Sequence, residues 1–270
     1  MLVTIVKYVL LVLLSYLLGS VLFAKVLSRL QKDDITKHDS GNPGTMNMLR
    51  NHGVVFGATT FILDALKGAI AALAGYFMFG GADGGVVARM AIYIGGLSAV
   101  LGHMFPIFFN FKGGKGVATS GGIAFVAHPL VGGILLASYI VLLVITRIGS
   151  LSSLIVSIAY LCIDTVMLIQ EQNFVGLVLL YIIVALIVWA HRSNIQRLLN
   201  KNENVVDLNA AVQKDIDRIH EKQEQRKHKN EAKKAEVESE TKAENTEAKN
   251  TNETAETNSS KTSKDETSAE

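Results

Sequence analysis

The apolar residues of this chain come in runs long enough to cross a bilayer, and that fact limits the fold more than any other. Residues 2–24, 54–79, 87–108, 130–146, 151–170 and 174–190 are strongly apolar, with polar breaks between them. About 20 apolar residues span a hydrocarbon core, and a helix satisfies its own backbone there. The expected fold is therefore all-α, a polytopic integral membrane helix bundle. A shorter apolar stretch, 116–127, reads as a helix buried by its neighbours, which makes seven transmembrane helices. Residues 2–24 are followed by no clear small-x-small cleavage site and read as a retained first helix, not a signal peptide.

The charge pattern divides the chain in two. Residues 1–200 carry 13 Lys+Arg against 7 Asp+Glu, whereas 201–270 carry 13 against 17. The expected domains are a membrane domain, 1–203, and a charged tail, 204–270. Val205, Leu208, Val212, Ile216 and Ile219 recur at helical spacing, so the tail is expected to open with a short amphipathic helix, lying on the membrane surface or docking on the bundle. Beyond about 225 too few apolar residues remain to form a core, and disorder is expected. The single Cys162 excludes an intrachain disulfide framework.

Basic residues set the orientation. Lys25, Arg29, Lys32, Lys37, Arg50, Lys112, Lys115, Arg147, Arg192 and Arg197 fall on one side if the 116–127 segment crosses; Lys7 and Arg89 fall on the other. That places the N-terminus outside and the C-terminus in the cytoplasm.

The unusual polar stretches then share the cytoplasmic face. In GHMFPIFFNFKGGKGVAT, residues 102–119, Lys112 and Lys115 flank Gly113 and Gly114, and Gly116 follows. A glycine-rich turn with lysines is suited to a phosphate; the plainer reading is a basic flank. In DSGNPGTMNMLR, residues 39–50, Gly41-Asn42-Pro43-Gly44 is a turn by its chemistry, and Ser40, Thr45, Asn47 and Arg50 supply hydroxyls, an amide and a guanidinium. Ser150 sits in a hydroxyl-rich helix break, and His191 and Asn194 are three apart, on one helical face. Each of these has an ordinary structural reading as loop, cap or interfacial residue. Asp64 and Lys67, also three apart, lie within an apolar helix and should face the bundle interior as a pair. Asp164 has no obvious partner in the sequence.

Three blocks together resemble the bacterial acyl-phosphate:glycerol-3-phosphate acyltransferase (PlsY) family. DSGNPGTMNMLR matches its GSGNxGxxNxxR except for Asp39, where the family usually has glycine. GHMFPIFFNFKGGKGVAT matches GHxFPxFxxFKGGKxVAT throughout, and HRSNIQRLLNKNE, His191 to Glu203, follows HxxNIxRLxxGxE except at Lys201. The likeness covers about residues 1–205.

The resemblance implies a cell-membrane, multi-pass enzyme with its active site at the cytoplasmic face. It would move a fatty acyl group from acyl phosphate to the sn-1 hydroxyl of glycerol 3-phosphate, giving lysophosphatidic acid and phosphate. It implies no metal and no cofactor. The partners would be glycerol 3-phosphate, long-chain acyl phosphate and membrane lipid, with no nucleic acid. By the same resemblance His191, Asn194, Lys112 and Ser150 are the candidate catalytic residues. Ser40, Gly41, Asn42, Gly44, Asn47, Arg50, Gly113, Gly114, Lys115 and Gly116 are the candidate substrate-binding residues. The HxxxxD pair of the common glycerolipid acyltransferases is missing, and Asp83–Arg89 has one residue too many for the DGxxAR of CDP-alcohol phosphotransferases. A transporter of phosphorylated solutes is the alternative, but the Gly/Lys block has no second copy in the other half of the chain.

Overall fold

A computed structural model describes residues 1–233, and these are all-α apart from turns and loops. The helices are α1 (Leu2–Gly19), α2 (Phe23–Leu30), α3 (Thr45–Met78), α4 (Gly85–Met104), α5 (Val117–Ala127), α6 (Pro129–Thr146), α7 (Gly149–Gln170), α8 (Phe174–Ala190) and α9 (Arg192–Leu199). Among the described residues, α1 with α2, α3, α4 with its flanking turns, α6 and α7 are long and apolar enough to cross a membrane. α8 and α9 form a sixth candidate, bent by 54°. α5 is apolar but short.

Large apolar side chains remain exposed along the bundle, among them Leu13, Leu130, Ile145 and Val178. An outer shell of this kind suits lipid, not water. The interior is lined by small and polar residues, so helices approach closely. A Cβ on Gly68 of α3 would lie 2.0 Å from the Thr119 carbonyl oxygen, and one on Gly122 of α5 would lie 1.9 Å from that of Ala65. These contacts bury the short α5 against α3. The larger core joins Tyr93, Ile123, Leu180, Ile183 and Ile187.

Several element bounds differ from the sequence expectation. The first helix ends at Gly19, and the chain restarts as α2, whose Lys25 and Arg29 lie over the Phe109 ring. The second membrane helix begins at Thr45, not near 54, because it follows directly on the Asn42-Pro43-Gly44 turn. The expected start survives as a kink: Gly53 has φ 88° and ψ 178°, a conformation open to glycine. Asn47 and Arg50 are consequently on a helical turn. α4 stops at Met104 because Pro106 follows.

The buried Asp164 finds its partners through the fold. Tyr93 Oη donates to it at 2.6 Å, and the His128 ring joins it to Glu171. Asp64 and Lys67 pair at 2.8 Å, as their spacing suggested.

Residues 1–215 form one compact unit, and Ile216 onward forms another. Within the first, Val206 N–H donates to the Arg147 carbonyl at 2.7 Å, and Val206 and Ala211 pack with Leu49. Asp215 accepts the Val55 N–H at 3.0 Å, just past the kink, and Lys214 bonds the Arg50 carbonyl. Residues 216–233 of the second unit are helical and mostly exposed, so helix persists past residue 225. The rest of the stretch expected to be disordered lies outside the described residues.

Candidate active site

One polar cleft gathers residues from all three sequence blocks. Ser40, Asn42, Gly44, Asn47, Arg50, Lys115, Gly116, Ser150, His191 and Asn194 all line it. Three helices point their N-termini at it: Thr45 and Met46 of α3, Val117 and Ala118 of α5, and Gly149 and Ser150 of α7 are in its wall. No side chain caps any of the three. The first-turn N–H groups of a helix have no partner within it and sit at the positive end of its dipole. Three such ends around one cleft make an anion site.

The cationic side chains are held in place. Arg50 Nε donates to Asp39 Oδ2 at 2.8 Å, which leaves both Nη groups without a partner among the described residues. Asp39, the departure from the family motif, thus orients the guanidinium, and Arg50 holds its carboxyl below the usual range. Lys115 Nζ donates to Asn194 Oδ1. The Asn194 amide in turn donates to Glu203 Oε1 at 2.8 Å, and Arg197 Nε donates to Glu203 Oε2 at 2.9 Å. Burial pushes the Lys115 ammonium down to about 8, against a counter-effect from Glu203.

His191 closes α8, and its Nδ1 lies 2.8 Å from the Ile187 carbonyl oxygen. A carbonyl only accepts, so Nδ1 carries the hydrogen, and a neutral ring keeps a lone pair on Nε2. Ser150 Oγ is buried and has no hydrogen-bond partner among the described residues. An orphan hydroxyl in a cleft wall is placed for a ligand. Ser150→Ala is expected to leave thermal stability unchanged or slightly raised, since it removes an unsatisfied polar group. Activity should nevertheless fall by an order of magnitude or more, roughly the worth of one hydrogen bond to a charged group. Parallel melting and rate measurements separate the two effects.

Other sequence candidates have different places. The Asn47 amide donates to the carbonyls of Ile35, His38 and Asn42, at 2.9, 3.1 and 3.1 Å, and so fastens the preceding loop. The N–H groups of Gly113 and Gly114, expected to cradle phosphate, donate instead to the Met104 and His103 carbonyls, at 3.1 and 3.0 Å. Gly41, Gly113 and Gly114 line an adjoining cleft with Trp189, Arg192 and Arg197. Lys112 is exposed on the outer turn of the loop and lines neither cleft.

The sequence reading gave no site role to His103, Glu203 or the paired rings of Phe61 and Tyr139, all in the cleft wall, and read Asp64, also in that wall, as half of an interior ion pair. Phe61, Val117 and Tyr139 also line an apolar groove that continues between α3, α5, α6 and α7, past Phe125 and Leu135. The polar cleft and the apolar groove are therefore neighbours that share Phe61, Val117 and Tyr139 as wall.

Fold and site define the class: a bundle suited to a membrane, with a polar cleft whose chemistry suits an anion beside an apolar groove. Comparison with known proteins narrows this. The family model described as glycerol-3-phosphate acyltransferase matches residues 9–201. Proteins named glycerol-3-phosphate acyltransferase are similar to this chain. That of Aquifex aeolicus is 40% identical over 202 residues, covering 73% of this chain and 98% of the relative. That of Thermoanaerobacter pseudethanolicus is 36% identical over 197 residues, covering 73% and 94%. Among solved structures, PlsY, described as an integral membrane glycerol 3-phosphate acyltransferase, in its glycerol 3-phosphate form, aligns with a TM-score of 0.66 at 36% identity. That alignment covers 74% of this chain and 96% of PlsY. The lysophosphatidic acid form of PlsY aligns with a TM-score of 0.64 at 35% identity, covering 76% of this chain and 98% of PlsY. The chain belongs to the glycerol-3-phosphate acyltransferase family and is an acyltransferase with an integral membrane fold.

Proposed function

We propose that this protein transfers a fatty acyl group from acyl phosphate to the sn-1 hydroxyl of glycerol 3-phosphate. The products are lysophosphatidic acid and inorganic phosphate. The observation that carries the reading is the adjacency of two environments. A cleft with Arg50, Lys115 and three uncapped helix N-termini adjoins an apolar groove along Phe61, Val117 and Tyr139. Both proposed substrates bear phosphate, and one also bears a long chain. Solved PlsY structures in glycerol 3-phosphate and lysophosphatidic acid forms support the same choice of ligands.

The site works by placing two anions side by side and cancelling their charge. Arg50 and Ser40 hold glycerol 3-phosphate, with Asn42, Gly44 and the α3 N-terminus around it. Lys115, Gly116 and the α5 N-terminus hold the donor phosphate. Lys112 lies exposed on the outer turn of this loop, and in this reading its ammonium adds charge that stabilises the leaving group. The acceptor hydroxyl oxygen attacks the acyl carbonyl carbon. The carbon–oxygen bond to phosphate breaks, and phosphate departs with that electron pair. The hydroxyl proton passes to a phosphate oxygen. His191 Nε2 and Asn194 orient the hydroxyl, and Ser150 Oγ donates to the reacting oxygen. Residues 1–203 are the catalytic domain in this reading, with seven crossings, the N-terminus outside, and the cleft and the 204–270 tail at the cytoplasmic face of the cell membrane.

The Lys115 ammonium gives the reading a signature. It is charged below its value of about 8 and neutral above it. Transfer to glycerol 3-phosphate should therefore show kcat/KM falling as pH rises through that region, and bound phosphate should move the fall upward in kcat. A profile that stays flat well above pH 8 would contradict the role given to Lys115.

A further inference from the structure

Three buried ionisable side chains beneath the Gly/Lys loop take no part in the chemistry above. Asp64 and Lys67 on α3 and His103 on α4 are 2%, 1% and 4% exposed. Charges this deep persist only when fully paired. Lys67 Nζ lies 2.8 Å from Asp64 Oδ1, 2.8 Å from the Val21 carbonyl oxygen and 2.7 Å from His103 Nδ1. An ammonium only donates, so the Val21 carbonyl and His103 Nδ1 each accept one of its hydrogens, with the Asp64 carboxylate beside it as the ion-pair partner. His103 Nδ1 must accept, and in a neutral ring the hydrogen is on Nε2. A simple ion pair within α3 would need only Asp64 and Lys67. This one reaches across to α4 and fixes one imidazole in one tautomer.

The fixed ring lies against the loop. A Cβ on Gly114 would meet His103 Nε2 at 2.1 Å, so the ring edge occupies the space a side chain would need. The His103 carbonyl also accepts the Gly114 N–H at 3.0 Å. Side chain and backbone of one residue thus hold the loop one position before Lys115. Asp64 and His103 themselves reach the cleft wall.

We infer that Asp64, Lys67 and His103 form a buried positioning device: Lys67 locks the His103 ring, His103 holds Gly114, and Lys115 is thereby fixed in the cleft where a substrate phosphate binds. This rests on the acyltransferase reading for the ligand, though not for the loop. The charged and titratable groups facing Lys115 are Glu203, Arg197 beside it on α9, Arg50 on α3 and His191 at the end of α8.

The test uses variants that leave those groups intact. His103→Asn keeps an acceptor for Lys67 but removes the edge against Gly114. The double variant Asp64→Asn/Lys67→Met removes both charges together, so no buried ion is left unpaired. His103→Gln restores an N–H near Nε2 and serves as the rescue. In the full chain in detergent, the pH midpoint for acetylation of Lys115 by acetic anhydride is read by mass spectrometry, which needs no turnover. KM for glycerol 3-phosphate and kcat are measured alongside. In the first two variants the midpoint should rise from about 8 toward that of an ordinary lysine, as the loosened loop lets in water. KM should rise about tenfold or more, the scale of a displaced binding group, with both values partly restored in His103→Gln. A wild-type midpoint in His103→Asn or in the double variant, whichever elutes as folded protein, overturns the inference. Failure of the wild type to transfer acyl groups would instead sink the functional reading and leave the labelling result to judge the loop.

Discussion

Arg50→Ala is expected to lower kcat/KM about 10²–10³-fold, the scale of losing a two-pronged charge-assisted grip on a bound phosphate. Arg50 is the cleft cation with a two-pronged fork, and its Nε is already committed to Asp39. That anchor presents the remaining donors to a phosphate without further side-chain ordering. Arg50→Lys should recover little, because an ammonium cannot bond Asp39 and grip phosphate in the same planar geometry. The loss should fall mainly on KM for glycerol 3-phosphate. The protein should still reach the membrane and elute as wild type, since Arg50 is only part-buried and its ion pair is at the surface. Near-normal kinetics would remove Arg50 from the site.

Gly114→Ala should be as damaging by another route. The new methyl would sit 2.1 Å from His103 Nε2, and that ring is pinned from behind by Lys67. Neither side can yield cheaply, so the loop moves, and Lys115 moves with it. A displacement near 1 Å at a positioning group costs on the order of 10²-fold in rate. Gly133→Ala is the control: a Cβ there meets nothing within 4 Å, and activity should hold. Steady-state kinetics on both variants, beside a melting curve, decide the matter. Equal activities would show that the loop tolerates displacement.

These predictions draw on features that were unequally visible in the sequence. The spans were legible because apolar runs report directly on the solvent around a helix. The Asp64–Lys67 pair was legible because residues three apart share a helical face. Arg50, Ser150, His191 and Asn194 could be picked out as polar groups in unusual places, but their convergence is tertiary. So is that of the three helix N-termini, which begin at Thr45, Val117 and Gly149, far apart in the chain. The Gly/Lys block misled in one respect. Its glycine N–H groups looked free in sequence, yet Gly113 and Gly114 spend theirs on the carbonyls of α4. The glycines are needed instead for close approach to His103. Asp164 looked solitary because its partners, Tyr93 and His128, are more than 30 residues away. The role of 204–215 was also hidden. Its apolar residues allowed a helix on the membrane surface or docked on the bundle, and the structure packs Val206 and Ala211 against Leu49 near the start of α3.

Donor choice tests the central claim most directly. Purified protein in detergent is given glycerol 3-phosphate with a long-chain acyl phosphate, and separately with the matching acyl-CoA, with chelator present throughout; Lys112→Ala and Arg50→Ala run alongside. The account predicts lysophosphatidic acid from acyl phosphate alone, lost or sharply reduced in both variants. Equal or faster transfer from acyl-CoA, or no transfer from folded protein with either donor, would contradict it.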